Sequence, residues 1–366
     1  MKILQISSAN TFGGGEKHLV DLSKALMGKG HDVFAVVRPT SEWKKNLVFL
    51  PEKNIFRVSL RNSLDIFSAR KLAKIIREND VEIVHAHLAR DYPAAGLAVR
   101  LAPPAKLVLT RHVLFPMNPL QKLVLNNVSK AIAVSSAVKS ELEKVFPSEK
   151  IAKIPNGIET EHFSGAKGEE LKRAFRFENN IPFDAPFIGI IGELKLLKGQ
   201  EDFVLAAQVI AGKFPDAHFA VIGKDNSFKQ DFRRELKRLV KVFGLENHFL
   251  WLDWVEDTAM ILHALDVFVS ASHSESFGLA ILEAMASATA IVAAETEGAK
   301  ELLQNDFSAK LVSVKNPVQI AEAVCELLSD ENLRKNLGKN AQKIALEKFG
   351  LKQMIEETEK VYREVL

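Results

Sequence analysis

The stretch DVFVSASHSESFGLAILEAMAS (residues 266–287) reads as strand, loop and helix in immediate succession. Residues 266–271 centre on Val267, Phe268 and Val269, a short apolar run suited to a strand buried on both faces. Residues 272–278 are polar and end in Gly278. An Ala-, Leu- and Met-rich run over 279–287 has the composition of a helix. The amides of Phe277, Gly278 and Leu279 would then be helix-start donors, suited to a diphosphate. Glu275 lies in the loop beside them, where a carboxylate can accept sugar hydroxyls. Glu283 lies one turn inside the helix, placed for paired hydroxyls such as those of a ribose. A carboxylate next to an anionic ligand is unfavourable unless hydroxyl donors accompany the anion, so the pattern points to a sugar together with a phosphate. Helix capping by Glu275 and a solvated Glu283 would use the same residues.

The same alternation runs through most of the chain. Residues 3–7, 32–37, 83–86, 106–110 and 131–134 read as strands, separated by helical patterns at 18–29, 66–78 and 137–145. After IPNGIETEHF (154–163) a polar stretch, 164–176, lacks strand character. Strands resume at 187–191, 218–222, 249–252, 267–270 and 290–293, with helices at 201–213 and 228–243 between them. Strands alternating with helices form parallel sheets covered on both faces. The expected fold class is therefore α/β, as two doubly wound, Rossmann-like domains facing an interdomain cleft. The boundaries expected are 1–165 and 166–350. An amphipathic helix follows at 351–366, packing on either domain through Met354, Ile355, Val361 and Leu366. Such sheets bind ligands on the loops beyond the carboxyl ends of their strands.

Composition narrows the class further. A chain of 366 residues with 47% hydrophobic and 26% charged residues is an ordinary globular protein, long enough for two domains. The single cysteine, Cys325, excludes an internal disulfide framework and reads as a small buried helical residue in a reducing compartment. No apolar run spans a membrane, and MKILQISSAN is a first strand rather than a secretory signal, so a cytoplasmic protein is expected. The net charge of +3 conceals an asymmetry. Residues 1–165 carry 24 Lys and Arg against 15 Asp and Glu, and residues 166–366 carry 25 against 31. A basic first half fits an anionic partner or surface. The basic residues are scattered without an aromatic platform, so nucleic acid is not the partner expected.

Other strand-end loops carry further candidates. Gly13, Gly14 and Gly15 follow the first strand and permit close backbone approach before a helix start. They form neither the spacing of a dinucleotide loop nor a P-loop. His85 and His87 end one strand, and Arg111 and His112 end another. His112 is the better catalytic candidate, because Arg111 beside it would help to hold an anionic group. Lys198, just before Gly199, is placed to reach a phosphate as a point charge. No His, Cys or carboxylate spacing resembles a zinc site, so no metal is expected.

Together these motifs resemble the retaining glycosyltransferases of family 4, with GT-B architecture, over essentially the whole chain. Glu275 and Glu283 match the family's E-x7-E element, with Phe277, Gly278 and Leu279 in the expected place. Gly13 to Lys17 resembles its G-G-x-E-R loop, and Val84 to His87 its V-H-x-H strand. Pro155, Asn156 and Gly157 resemble its P-N-G signature, and Gly298 to Glu301 its G-G-x-x-E loop. The resemblance implies a nucleotide-diphosphate sugar on the C-terminal domain and a glycan or glycolipid acceptor on the N-terminal one. It implies Glu275 against the transferred sugar, Glu283 on the ribose, and Lys198 with the helix amides on the diphosphate. It also places His112 near the sugar and leaving phosphate. Transfer would retain the anomeric configuration, without a metal or other cofactor, in surface polysaccharide or lipopolysaccharide synthesis.

Two departures bear on donor binding. Glu193 stands where the family carries an Arg that pairs with the diphosphate, leaving Arg111, Lys195 or Lys224 to compensate. Lys224 and Asp225 stand where the family tends to have Gly-x-Gly. A non-catalytic sugar-nucleotide or partner-binding protein and a sugar-nucleotide epimerase are the competing readings. Product analysis with a labelled sugar nucleotide separates them from transfer. The basic first half and the apolar, proline-punctuated segment 113–124 suggest an acceptor at an anionic membrane surface.

Overall fold

The computed structural model describes residues 1–60, 65–117, 125–165, 167–253, 255 and 257–366. The chain divides into two compact units, Met1–Gly157 with Lys352–Leu366, and Ile158–Leu351.

The first unit is built on a parallel sheet of β1 (Lys2–Ser7), β2 (Asp32–Val37), β3 (Ile55–Arg57), β4 (Ile83–Ala86), β5 (Lys106–Arg111), β6 (Val128–Ala133) and β7 (Ile151–Lys153). Their order is β3-β2-β1-β4-β5-β6-β7, in register Ile3 to Val33 on one side and Ile3 to Ile83 on the other. The order reverses between β1 and β4, which opens a crevice at the carboxyl ends of those two strands. Helices Gly14–Gly28, Ile66–Glu78 and Tyr92–Leu101 connect the strands. The middle strands are buried throughout, because helices on both faces leave no solvent-facing side.

The second unit repeats the plan with β8 (Phe187–Ile191), β9 (His218–Ile222), β10 (Phe249–Leu252), β11 (Val267–Ser270), β12 (Ala290–Ala294) and β13 (Lys310–Val312). Their order is β10-β9-β8-β11-β12-β13, reversing between β8 and β11. Phe203, Phe219 and Phe249 anchor one face of its core, with Phe219 and Phe249 stacked at 5.1 Å. Cys325 is buried in that core on helix Pro317–Ser329.

Several expectations shift. The polar stretch 164–176, which lacks strand character, runs into helix Gly168–Glu178, whose Arg176 is buried. Arg176 donates to the carbonyls of Ala264, Pro182, Phe183 and Ala185 and pairs with Asp266 at 2.9 Å, so every arm of the buried guanidinium is engaged. The chain leaves the first unit after Gly157, not at 165. Ile158 N donates to Phe349 O and Leu351 N to Ile158 O, so the outgoing and returning segments are hydrogen-bonded to each other.

The last helix, Leu351–Val365, lies with the first unit from Lys352 onward. Met354, Ile355 and Val361 are buried, whereas Leu366 is exposed, since it falls beyond the helix end. Tyr362 is fully buried, and its hydroxyl lies 2.6 Å from His85 Nδ1 and accepts from Gln5 Nε2 at 3.3 Å. Glu359 accepts from Lys29 at 2.7 Å and Arg363 at 2.5 Å, with His31 at 3.2 Å. Lys29 first, then Arg363, hold the carboxyl down to about 2 against the opposing effect of burial.

A group depressed in this way contributes stability that is complete above its ordinary value of 4.5 and lost as the pH falls through about 2. Glu359→Gln is therefore expected to lower unfolding stability by about 1–3 kcal/mol at neutral pH. Parallel urea titrations should show the gap between wild type and variant closing as the pH falls through that window.

Candidate functional site

Each unit gathers polar residues at its own switch point. In the second unit, Lys198 follows β8 and Glu275 follows β11, the two strands that flank the reversal. Their side chains meet, with Lys198 Nζ 2.5 Å from Glu275 Oε2, and both are only partly exposed. The Glu275 loop is held by His273 N donating to Leu197 O and Gly298 N donating to Glu275 O, each at 2.8 Å. His273 Nε2 also lies 2.6 Å from Asp202.

Helix Leu279–Ala286 begins at Gly278, whose φ of 98° is open to glycine and strained for other residues. Among the described residues, no side chain caps that helix start. Phe277 is buried and packs edge-on against Phe349 at 6.0 Å, which fixes the turn. Glu283 is buried and accepts from Thr258 Oγ1 at 2.9 Å. Gly199 allows the Lys198 turn to approach β11 closely, because an added Cβ would sit 2.0 Å from Ala271 O at a φ of 67°.

Glu193 does not stand as a bare carboxylate. Lys195 Nζ lies 2.6 Å from it and Asn226 Nδ2 donates to it at 3.0 Å. Burial works to raise its pKa, but Lys195 and Asn226 together hold it below the ordinary value. Lys195, one of the three cations considered as compensating for the missing Arg, is thus paired with Glu193 itself. Asp225 is also engaged, accepting from Ser227 N and Arg233 N at 2.8 Å each, so it closes the turn after β9.

In the first unit, the glycine loop after β1 meets the ends of β4 and β5. A Cβ added to Gly15 would lie 3.7 Å from His112 Cδ2, so the glycine lets backbone rest against the imidazole. Gly14 opens helix Gly14–Gly28, whose His18 ring lies 4.9 Å from His112 and 5.5 Å from His87. Burial lowers the pKa of His18 to about 4 and pushes those of His85, His87 and His112 well below the ordinary value, so the rings are uncharged near neutrality.

His85 is bonded on both nitrogens, to Tyr362 Oη and to Thr110 Oγ1 at 2.7 Å, and is structural. Arg111 is buried, with Nη2 donating to Phe115 O. Its guanidinium also lies beside the Tyr92 hydroxyl.

Sequence reasoning passed over three residues here. His18 reads as one more helix residue, and its role emerges only when β1, β4 and β5 are aligned. Asp91 is fully buried, accepts from Ser8 N at 2.8 Å and Ser8 Oγ at 2.5 Å, and is raised by burial to about 6. The Asp-Tyr-Pro helix start was its signal. Glu16, noted only within the loop, is buried against Ser7 at 3.0 Å, with its pKa raised by burial.

Comparison with known proteins accords with this geometry. Residues 172–344 match the family model for glycosyl transferases group 1, and residues 12–162 match that for glycosyltransferase family 4. The N-acetyl-alpha-D-glucosaminyl L-malate synthase of Bacillus anthracis is 24% identical over 97% of this chain and 94% of its own. The phosphatidyl-myo-inositol mannosyltransferase of Mycolicibacterium smegmatis is 26% identical over 88% of this chain and 83% of its own. Among solved structures, Anabaena HepE in complex with UDP and glucose superposes with a TM-score of 0.87 at 21% identity, covering 98% of each chain. The two family models follow one another along the chain, the first spanning β2 to β7 and the second β8 to β13, in the GT-B fold. The chain therefore belongs to the group 1, family 4 glycosyltransferases.

Proposed function

We propose that the protein moves a sugar from a nucleotide-diphosphate sugar to a glycan or glycolipid acceptor, with retained configuration and without a metal in the transfer step. The observation that carries this reading is the meeting of Lys198 and Glu275 at the uncapped start of helix Leu279–Ala286, with Glu283 a turn inside. Lys198 and the helix amides take the diphosphate, Glu275 the transferred sugar, and Glu283 the ribose. The 2.5 Å ion pair keeps the Lys198 ammonium beside the helix start before a donor arrives. A diphosphate then draws the ammonium away and leaves Glu275 to accept sugar hydroxyls. In the first unit, Gly14, Gly15, Arg111 and His112 serve the acceptor and the reacting end of the donor. Catalysis rests on stabilising the leaving diphosphate and on positioning.

The UDP and glucose of the HepE crystal and the lipid-linked substrates in the relatives' names support the same donor and acceptor classes. Surface polysaccharide or lipopolysaccharide synthesis on the cytoplasmic side fits such an acceptor. No helix among the described residues is long and apolar enough to cross a membrane, so contact with an anionic bilayer would be peripheral. Val113 and Phe115 are exposed, while residues 118–124 of the apolar segment lie outside the described residues. Binding to anionic vesicles at low salt, lost at high salt, is the expected result of co-sedimentation; protein left wholly in the supernatant would exclude the membrane part.

Glu275→Ala is expected to cut transfer by about 100-fold or more while the melting transition stays in place. Full activity in a labelled-sugar assay would remove the assignment. At Glu193, replacing the carboxylate by a cation removes repulsion from the diphosphate. Glu193→Arg is expected to tighten UDP or GDP binding roughly tenfold, an effect of one good charge-assisted bond, measurable by calorimetry.

A further inference from the structure

Two adjacent residues at the start of helix Tyr92–Leu101 brace the strand ends of the first unit. Tyr92 is buried, and its hydroxyl donates to Thr110 O at 2.7 Å, one residue before Arg111. Asp91 reaches the end of β1 instead, accepting from Ser8 N at 2.8 Å and Ser8 Oγ at 2.5 Å. Ser8 passes the contact on. Its Oγ accepts from Arg90 Nε at 2.7 Å, and its carbonyl accepts from Arg90 Nη2. From Ser8 the chain runs into the glycine loop through Ala9, whose carbonyl accepts from Trp43 Nε1 at 2.9 Å.

Asp91 does not make the bond that its position favours. It stands at the helix N-cap, where a carboxylate ordinarily accepts from an amide of its own helix, yet its side chain caps nothing there. Asp91 and Ser8 are both fully buried, and an ionised carboxylate is costly to bury. Burial pushes the carboxyl up to about 6, against the opposing pull of Ser8 and then of Arg90 and Arg38. A carboxyl raised in this way favours the fold most below its ordinary value of 3.8, and that contribution is lost as the pH rises through about 6. At neutral pH the charge works against folding, so its use lies in what it holds.

We propose that Asp91 is a positioning residue for transfer, whose carboxylate fixes Ser8, Arg90 and the start of the glycine loop beside the first unit's crevice. The catalytic consequence rests on the sugar-transfer reading; the hydrogen bonds do not. Ionised, Asp91 offers an acceptor to each Ser8 donor. Protonated, it becomes a donor on one oxygen and leaves a Ser8 donor unpaired in a buried site. The loop that carries Gly14 and Gly15 then loses its tie to the helix start at Asp91.

The charged and titratable groups facing Asp91 are Arg90 on its own loop, Arg38 after β2, Glu16 from helix Gly14–Gly28, and Tyr92. Burial pushes the Tyr92 hydroxyl far above its ordinary value, and it holds His18, His85, His87 and His112 down. Glu16 is raised by burial as Asp91 is, so a variant at each acid assigns the transition.

The test follows amide hydrogen exchange of residues 8–17 in the intact chain, corrected for the intrinsic effect of pH. Protection is expected to fall about tenfold between pH about 7.5 and about 5, the effect of one buried hydrogen bond lost. Glu16→Gln should keep this transition, and Asp91→Asn should remove it. Wild-type protection that stays level across the range would overturn the proposal, with no variant needing to fold. A transition that survives in Asp91→Asn would do the same. Transfer from a labelled sugar nucleotide over the same range reads the catalytic side. Wild-type kcat should fall on the acid side with a midpoint of about 6, while KM for the donor holds. Asp91→Asn should lower kcat about tenfold at neutral pH and leave it level with pH, the cost of lost positioning. Full activity in that variant, or an acid limb unchanged from wild type, would exclude the positioning role. A pH-responsive loop in a chain that forms no transfer product would remove the transfer reading and leave the Asp91 tie standing.

Discussion

A parallel sheet buried on both faces has one place left for polar chemistry. Its strands must be apolar along their length, its helices must turn apolar stripes inward, and only the loops at the strand ends escape both demands. Where the strand order reverses, neighbouring loops diverge to opposite faces and leave a crevice between them. This chain meets that constraint twice, between β1 and β4 and between β8 and β11. Several candidate residues sit beside one of the two reversals. Gly13 to Gly15 follow β1, His87 follows β4, Lys198 follows β8 and Glu275 follows β11. Glycine recurs at these points for a steric reason. Gly199 leaves room for Ala271 O, and Gly278 turns the chain into its helix with a φ of 98°.

The two units handle charge differently. In the second, opposite charges are paired before any ligand arrives. Lys198 holds Glu275, and Lys195 with Asn226 holds Glu193. These pairs are partly exposed and contribute little to folding. Their value lies in keeping a cation and a carboxylate near the same helix start. In the first unit the histidines are buried and uncharged, because burial disfavours their protonated forms. A relay from His87 through Gln5 and Tyr362 to His85 and Thr110 gives these rings fixed orientations. The last helix therefore contributes Tyr362 to a network that begins at β1, from the opposite end of the chain.

The amino-acid sequence by itself determined the α/β class, most strand and helix positions, and the Glu275 to Glu283 element. Those features are local. A β-branched run, a glycine and an alanine-rich helix are read within about twenty residues, and helix Ile66–Glu78 and strand Phe187–Ile191 fall where their patterns place them. The three strands passed over, β3, β7 and β13, are three-residue segments at sheet edges. An edge strand has neighbours on one side only and carries too few buried residues to leave a periodic signal. Only the tertiary structure decided the rest. It joined His18, His87 and His112 across 94 residues of sequence, set Lys195 against Glu193, and returned the final helix to the first unit. Side-chain meetings of this kind depend on strand order, and strand order is fixed by which sheet edges and helix faces bury one another, not by any spacing along the chain.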